Sequence, residues 1–223
     1  VKRFGVTPAV DGVTLAVHPR EIVCLIGPNG AGKTTLLNCV SGDHDLDGGS
    51  ITLLGRPVGH TPPHRRSRLG LGRTFQVPSL LPELTVAEHL TLVRQESKGL
   101  PDLPDVYRPF EGPLAGVRAR ELSLGDRRGL EIALALAGDP GLLLLDEPAA
   151  GLSRDEAARL AGTLLDVRER TGCAMVAVEH DMEIVRRLAD RVIVLHQGHI
   201  LSEGSMDDMS ADQRVRDAYL GAG

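Results

Sequence analysis

Gly27-Pro28-Asn29-Gly30-Ala31-Gly32-Lys33-Thr34 fits the pattern G-x-x-x-x-G-K-[ST], a loop whose backbone N–H groups wrap a nucleotide's phosphates while its lysine reaches the terminal ones. The pattern carries that meaning only between a strand and a helix. Both are predicted. Glu21-Ile22-Val23-Cys24-Leu25-Ile26 is a short apolar run ending at the first glycine, and Thr34 to Val40 carries Leu36, Leu37 and Val40 at helical spacing. Glycines let the backbone approach phosphates without Cβ clashes, and the helix aims its N-terminal amides at the negative charge. Thr34 is expected to place its hydroxyl on a magnesium ion carried with the nucleotide. The alternative is a glycine-rich turn that merely joins strand to helix, and motifs further along weigh against it.

A chain of 223 residues, 42% of them hydrophobic, can bury a large core as one domain or as one domain with a smaller lobe. A formal net charge of −5 argues against a broad nucleic-acid surface. His64, Arg65, Arg66, Arg68 and Arg73 form a local basic cluster, read as a solvated loop face. Cys24, Cys39 and Cys173 are few, widely spaced and odd in number, so neither a disulfide framework nor a zinc site is predicted and a reducing, intracellular compartment fits. No apolar run reaches the ~18 residues that span a bilayer, and no signal-peptide layout is present at the N-terminus. A start at Val1 rather than methionine leads us to expect processing or excision from something longer.

Residues 1–76 read as mostly β around the phosphate loop, with Val13, Leu15 and Val17 alternating, then Ile51 and Leu53 after Asp47-Gly48-Gly49. Thr85-Val86-Ala87-Glu88 has capping-box spacing and opens a helix. From Gln95 to Arg120, Pro101, Pro104, Pro109 and Pro113 with Gly99, Gly112 and Gly116 predict a loop-rich small lobe. A helix from Gly125 to Ala137, a strand Leu142–Leu145 and a helix capped by Ser153 and Glu156 follow. A strand Ala174–Val178, a helix Met182–Ala189 and a strand Arg191–Leu195 complete the alternation. Strands alternating with helices imply an α/β fold with a mostly parallel sheet covered on both faces.

Leu142 to Leu145 run straight into Asp146-Glu147, so two carboxylates fall at the carboxyl end of an apolar strand, where open α/β sheets bind ligands. Asp146 is expected to hold magnesium. Glu147, one residue further out, can orient or deprotonate an attacking water. An ordinary acidic turn before Pro148 is the alternative.

Along nearly its whole length the chain resembles an ATP-binding-cassette (ABC) transporter ATPase. Gln76, in Arg73-Thr74-Phe75-Gln76, resembles the Q-loop glutamine, which touches magnesium and the hydrolytic water and senses the transport partner. Leu122-Ser123-Leu124-Gly125-Asp126 resembles the signature that a partner cassette presses against the γ-phosphate, and Ala150-Gly151-Leu152-Ser153 falls where the D-loop lies. His180 resembles the switch histidine at the γ-phosphate, and Phe4 sits where the family stacks an aromatic on adenine. Phe4 as a core aromatic, His180 as a helix cap before Asp181, Gln76 as a loop amide and the signature as a plain helix start stand as alternatives.

The resemblance implies a P-loop NTPase with an N-terminal antiparallel β part: a single cassette, 1–223, with 1–76 and 122–223 as the ATPase core and 77–121 as a shortened helical lobe. It also implies ATP and Mg2+ as cofactors. The phosphates fall to Lys33 and the amides from Gly30 to Thr35, the metal to Thr34, Gln76 and Asp146, and catalysis to Glu147, His180 and Gln76, with Ser123 and Gly125 completing the opposite cassette's site. Partners are a second ABC ATPase, identical or paralogous, transmembrane permease subunits and, indirectly, an external solute-binding protein, with no nucleic acid. Such a subunit is cytoplasmic and peripheral on the inner face of the membrane.

The phrases Arg73-Thr74-Phe75-Gln76, Leu145-Asp146-Glu147-Pro148-Ala149-Ala150-Gly151-Leu152, Glu179-His180-Asp181-Met182 and Ala218-Tyr219-Leu220-Gly221 are most similar to importers of branched-chain or related amino acids, or urea. A non-transport cassette acting on nucleic acid or ribosomes, or a nucleotide-binding domain with weak hydrolysis, stands beside that reading. Asp126 replaces the usual glutamine; it either adds negative charge where phosphate oxygens dock or serves as the N3 acceptor of a Ser123 cap. The lobe between Gln76 and Ser123 is expected to be shorter and richer in proline than in relatives.

Overall fold

In the computed structural model, residues 1–76, 80–96 and 104–220 are described; Gly99, Pro101 and Gly221 lie outside them. The chain opens with an antiparallel hairpin, β1 (Lys2–Phe4) and β2 (Thr7–Val10), then β3 (Ile22–Ile26) and α1 (Lys33–Ser41). A short pair, β4 (Thr52–Leu53) and β5 (Arg56–Pro57), is followed by α2 (Pro63–Arg68) and β6 (Leu71–Arg73). The lobe contributes α3 (Val86–Glu96), α4 (Pro104–Glu111) and a 3-10 turn at Ala119–Glu121 before α5 (Leu124–Leu136). The rest alternates: β7 (Leu142–Asp146), α6 (Arg154–Thr171), β8 (Ala174–Val178), α7 (Met182–Leu188), then β9 (Arg191–His196), β10 (His199–Gly204), α8 (Met206–Ala211) and α9 (Gln213–Leu220).

The main sheet runs β10-β9-β3-β8-β7-β6. Every pairing from β9 to β6 is parallel, and β10 closes the far edge antiparallel to β9. Period-two alternation sends neighbouring residues of one strand to opposite faces. Ile22, Cys24 and Ile26 of β3 join Leu143, Leu145, Met175 and Ala177 in a core shared with Leu130 and Ile132 of α5 and Ala161 and Leu164 of α6. Val23 and Leu25 join Leu144, Val176, Val178 and Ile193 in a second core, capped by Leu37 of α1. Burial on both faces is why these strands read as unbroken apolar runs.

Thr85 and Glu88 exchange the two capping-box bonds at the start of α3, as predicted. So do Ser153 and Glu156 at α6. Three expectations need correction. Val13, Leu15 and Val17 alternate in burial, and the last two pack on the second core, but no β ladder includes them; alternation reports one buried face, not pairing.

Residues 1–76 also hold α2, begun by Pro63, whose fixed φ suits a first helical turn. The basic cluster around it is not simply a solvated face: Arg66 is 1% exposed and donates to Cys39 O and Val40 O at 2.7 Å each. Those carbonyls end α1, where helical partners run out, so the guanidinium acts as their cap. Arg73 likewise reaches inward, to Asp43 and Asn38.

Finally, the prolines do not prevent α4. Pro104 opens it and Pro109 lies within it. Val106, Tyr107 and Phe110 are buried in the first core, and the Tyr107 hydroxyl donates to Ala133 O of α5 at 3.0 Å. That tertiary burial outweighs a proline penalty of about 3 kcal/mol.

Candidate functional site

The parallel order β3-β8-β7 brings three strand ends to one edge: β3 runs into Gly27, β7 ends in Asp146-Glu147 and β8 leads to Glu179-His180. The phosphate loop bends away from β3 at Gly27, whose φ of 146° and approach to Leu195 O would put an added Cβ 2.1 Å from that oxygen. Gly32 caps α1 at φ 101°, and a Cβ there would sit 2.2 Å from Ala9 O. At both positions only glycine fits. The second contact also fixes the β1–β2 hairpin against the loop. No side chain caps α1, so the amides of Lys33, Thr34 and Thr35, which a helix leaves without partners, are available to an anion.

Lys33 is 6% exposed and curls over the loop, its Nζ donating to Gly27 O at 2.7 Å and Pro28 O at 3.0 Å. Burial lowers its pKa, and the Glu147 and Asp146 charges oppose that shift. The Thr34 hydroxyl faces Asp146 Oδ1 at 3.5 Å. Asp146, 2% exposed, has its pKa raised, first by burial and also by Glu147, with Arg73, Thr34 and Lys33 pulling it back.

Glu147 sits at φ 50°, a left-handed conformation that costs a non-glycine residue on the order of 1 kcal/mol. Its N–H donates to Val178 O at 3.0 Å, which ties β7 to β8 there. The carboxylate it presents accepts from Gln76 Nε2 at 3.1 Å on one oxygen and lies 3.0 Å from His180 Nε2 on the other. Thr34 thus meets Asp146, Gln76 and His180 meet the adjacent Glu147, and Lys33, next to Thr34, feels the charge of both carboxylates, so the six residues gather at one edge of the sheet.

Phe4 is 52% exposed on β1, its ring edge-on to His44 at 5.4 Å, so a flat partner can reach it. Pro28, Asn29, Gly30 and Ala31 line a cleft of about 620 Å³ together with His196, Gln197 and Arg214. Ser123 and Gly125 lie elsewhere, at the start of α5: among the described residues no hydrogen bond or ion pair joins them to Lys33, Asp146 or Glu147. Ser123 caps α5, accepting from Asp126 N–H at 3.1 Å and donating to its Oδ2 at 2.6 Å. Asp126 is thus the capping acceptor that the sequence offered as one option.

Three residues at this edge were given no role by the sequence. Burial raises the Tyr219 pKa on α9, and the Gly27 backbone close to its hydroxyl opposes that shift. Arg128 on α5 reaches the loop carrying Gln76, and an inward-facing Arg128/Glu131 pair at i,i+3 was its only sequence trace. Glu179, 3% exposed at the end of β8, accepts from Ala149 N–H at 3.0 Å and His180 N–H at 3.3 Å. Burial pushes its pKa up to about 7, with Asp181 and Glu147 adding to the shift against the two hydrogen bonds.

A carboxyl whose folded pKa lies above its unfolded value contributes stability that is full below about pH 4.5 and lost as pH rises through about 7. Glu179→Gln is therefore expected to flatten the pH dependence of unfolding over that window, by up to about 3 kcal/mol. Chemical denaturation at pH 5 and pH 8 checks this; an unaltered pH slope in the variant would show that Glu179 ionises normally.

The pattern of the family described as ABC transporter matches residues 10–150. The chain is 37% identical, over 98% of its length, to the high-affinity branched-chain amino acid transport ATP-binding protein LivG of Salmonella typhimurium, covering 94% of that protein. It is 35% identical, with the same coverage, to BraF of Pseudomonas aeruginosa. The ADP conformation of MJ1267, an ATP-binding cassette of an ABC transporter, superposes with a TM-score of 0.86 at 29% identity over 99% of this chain and 95% of that one. A matching family pattern, near full-length relatives and a shared fold lead to one conclusion: the chain belongs to the ABC transporter family, as one of its ATP-binding cassettes.

Proposed function

We propose that the chain hydrolyses ATP to drive an importer of branched-chain or related hydrophobic amino acids. The observation that carries the ATPase half is the single cluster in which Lys33, Thr34, Asp146, Glu147, Gln76 and His180 meet at the ends of β3, β7 and β8. The amides from Gly30 to Thr35 and the Lys33 ammonium hold the phosphates. Thr34 Oγ1, Asp146 and the Gln76 side chain supply hard oxygen donors. One carboxylate beside a hydroxyl and an amide suits Mg2+ delivered with a nucleotide, since that ion takes one or two carboxylates plus phosphate oxygens. Bound there, Mg2+ neutralises charge on the β- and γ-phosphates.

Water attacks the γ-phosphorus, the bond to the β,γ-bridging oxygen breaks, and ADP and phosphate leave. Glu147 orients that water and accepts its proton, Gln76 and His180 hold the Glu147 carboxylate, and His180 also faces the departing phosphoryl group. Phe4 stacks on the adenine. Ser123 and Gly125, which no hydrogen bond or ion pair joins to Lys33 among the described residues, serve the opposite site when two cassettes close head to tail over two ATP molecules.

Names of the relatives support the importer half: LivG and BraF are branched-chain amino acid transport ATP-binding proteins. No described helix is long and apolar enough to cross a membrane; in this reading permease subunits hold the cassette at the inner face. A cleft lined by Phe75, Arg73, His64, Val93 and Leu134, one residue from Gln76, is a surface for them.

The test is reconstitution of the chain with its permease and solute-binding protein in vesicles. Leucine is expected to raise ATP turnover several-fold and to accumulate inside. Turnover that answers to RNA or DNA, with no uptake, would replace the importer with a non-transport cassette.

A further inference from the structure

Arg128 sits five residues beyond the Ser123 cap, on the inward face of α5, and is 5% exposed. One fork nitrogen donates to Phe75 O at 2.8 Å and to Glu131 Oε2 at 3.3 Å; the other donates to Gln76 O. Glu131, 7% exposed and three residues along the same helix, already balances the charge. The two carbonyl bonds thus go beyond what charge neutrality requires. They reach across 52 and 53 residues of chain to the segment whose side chains face the partner cleft and Glu147: Phe75 lines the cleft, and Gln76 Nε2 lies 3.1 Å from Glu147 Oε2.

Resting on the ATPase reading above, we propose that Arg128 is a positioning residue that locks the Phe75–Gln76 backbone to the signature helix, so that Gln76 keeps its place on Glu147. A planar guanidinium is suited to this, because its fixed fork can hold two successive carbonyls and a carboxylate at once. A lysine is a point charge on a flexible stem; it can stay paired with Glu131 but cannot bridge both carbonyls. Any tilt of α5 relative to the sheet is thereby transmitted to the backbone of Gln76, and a ligand in the partner cleft that shifts Phe75 acts on the same link.

Arg128→Lys in the whole chain tests this, with hydrogen–deuterium exchange, steady-state kinetics and a double-mutant cycle against Gln76→Ala. Exchange is expected to rise at Thr74 to Gln76 while the strand Leu142–Leu145 keeps its protection. The kcat for ATP is expected to fall about tenfold with KM unchanged, and Arg128→Lys should cost nothing further once Gln76 is alanine.

Unchanged exchange at Thr74–Gln76, or a loss that adds fully to that of Gln76→Ala, would overturn the proposal. Should Arg128→Lys loosen the whole chain, the paired Arg128→Gln/Glu131→Gln variant, which leaves no buried charge, is read in the same way. The exchange measurement stands apart from hydrolysis: a parent protein without Glu147-dependent turnover would sink the ATPase reading, while exchange still decides whether Arg128 holds the loop.

Discussion

Glu147→Gln is expected to slow ATP turnover by roughly 10² to 10⁴-fold while ATP still binds. The size follows from losing a general base, which at that magnitude amounts to about 3 to 5 kcal/mol of transition-state stabilisation. The substitution keeps the shape of the side chain and one oxygen that can accept from Gln76 Nε2 or face His180 Nε2, the two neighbours within 3.1 Å in the parent protein. What disappears is the ability to take a proton. Because one negative charge is removed near Lys33, whose pKa already feels Glu147, affinity for an anionic nucleotide should hold or increase. Phosphate release and equilibrium ATP binding, measured on the same preparation, separate the two effects; turnover equal to that of the parent would remove Glu147 from the role.

Lys33→Ala is expected to weaken ATP binding by about 10²-fold and to abolish detectable hydrolysis. Charge-assisted hydrogen bonds contribute about 1.5 to 3 kcal/mol each, and one or two bonds from Lys33 to the terminal phosphates amount to that loss. The ammonium is held over the loop by Gly27 O and Pro28 O, so it can transfer to phosphate oxygens without a large excursion. Its removal also takes a positive charge from beside Asp146, which is 2% exposed and already resists ionisation through burial. Titration with a fluorescent ATP analogue reads the loss, and normal affinity in Lys33→Ala would undo the assignment of the loop.

Much of this edge was legible because its chemistry is written in contiguous residues. The phosphate loop follows an apolar run that had to be a buried strand, and Asp146-Glu147 terminates another; parallel order then places both at one end of the sheet. Caps at Thr85, Ser123 and Ser153 were readable for the same reason: their partners lie three residues away.

What sequence concealed depends on distance along the chain. Arg66 and Arg73 read as surface charge until α1 supplied carbonyls and Asn38, and the turn after it Asp43, for them to hold. Pro104 and Pro109 argued against α4, but the burial of Val106, Tyr107 and Phe110 overrides local propensity. Glu179 and Arg128 owe their positions to Ala149 N–H and to the carbonyls of Phe75 and Gln76, backbone groups that no residue pattern announces. Val13 to Val17 shows the converse: a period-two pattern marks the buried face of an extended segment whether or not a neighbour pairs with it.

A structure of the Glu147→Gln chain with Mg-ATP puts the central proposition to the most direct test. The triphosphate is expected inside Gly27–Thr35, its γ-phosphate between Lys33 Nζ and the side chain at 147, and the metal against Thr34 Oγ1 and the Asp146 carboxylate. Nucleotide bound away from that loop, or a metal held without Thr34 and Asp146, would contradict it.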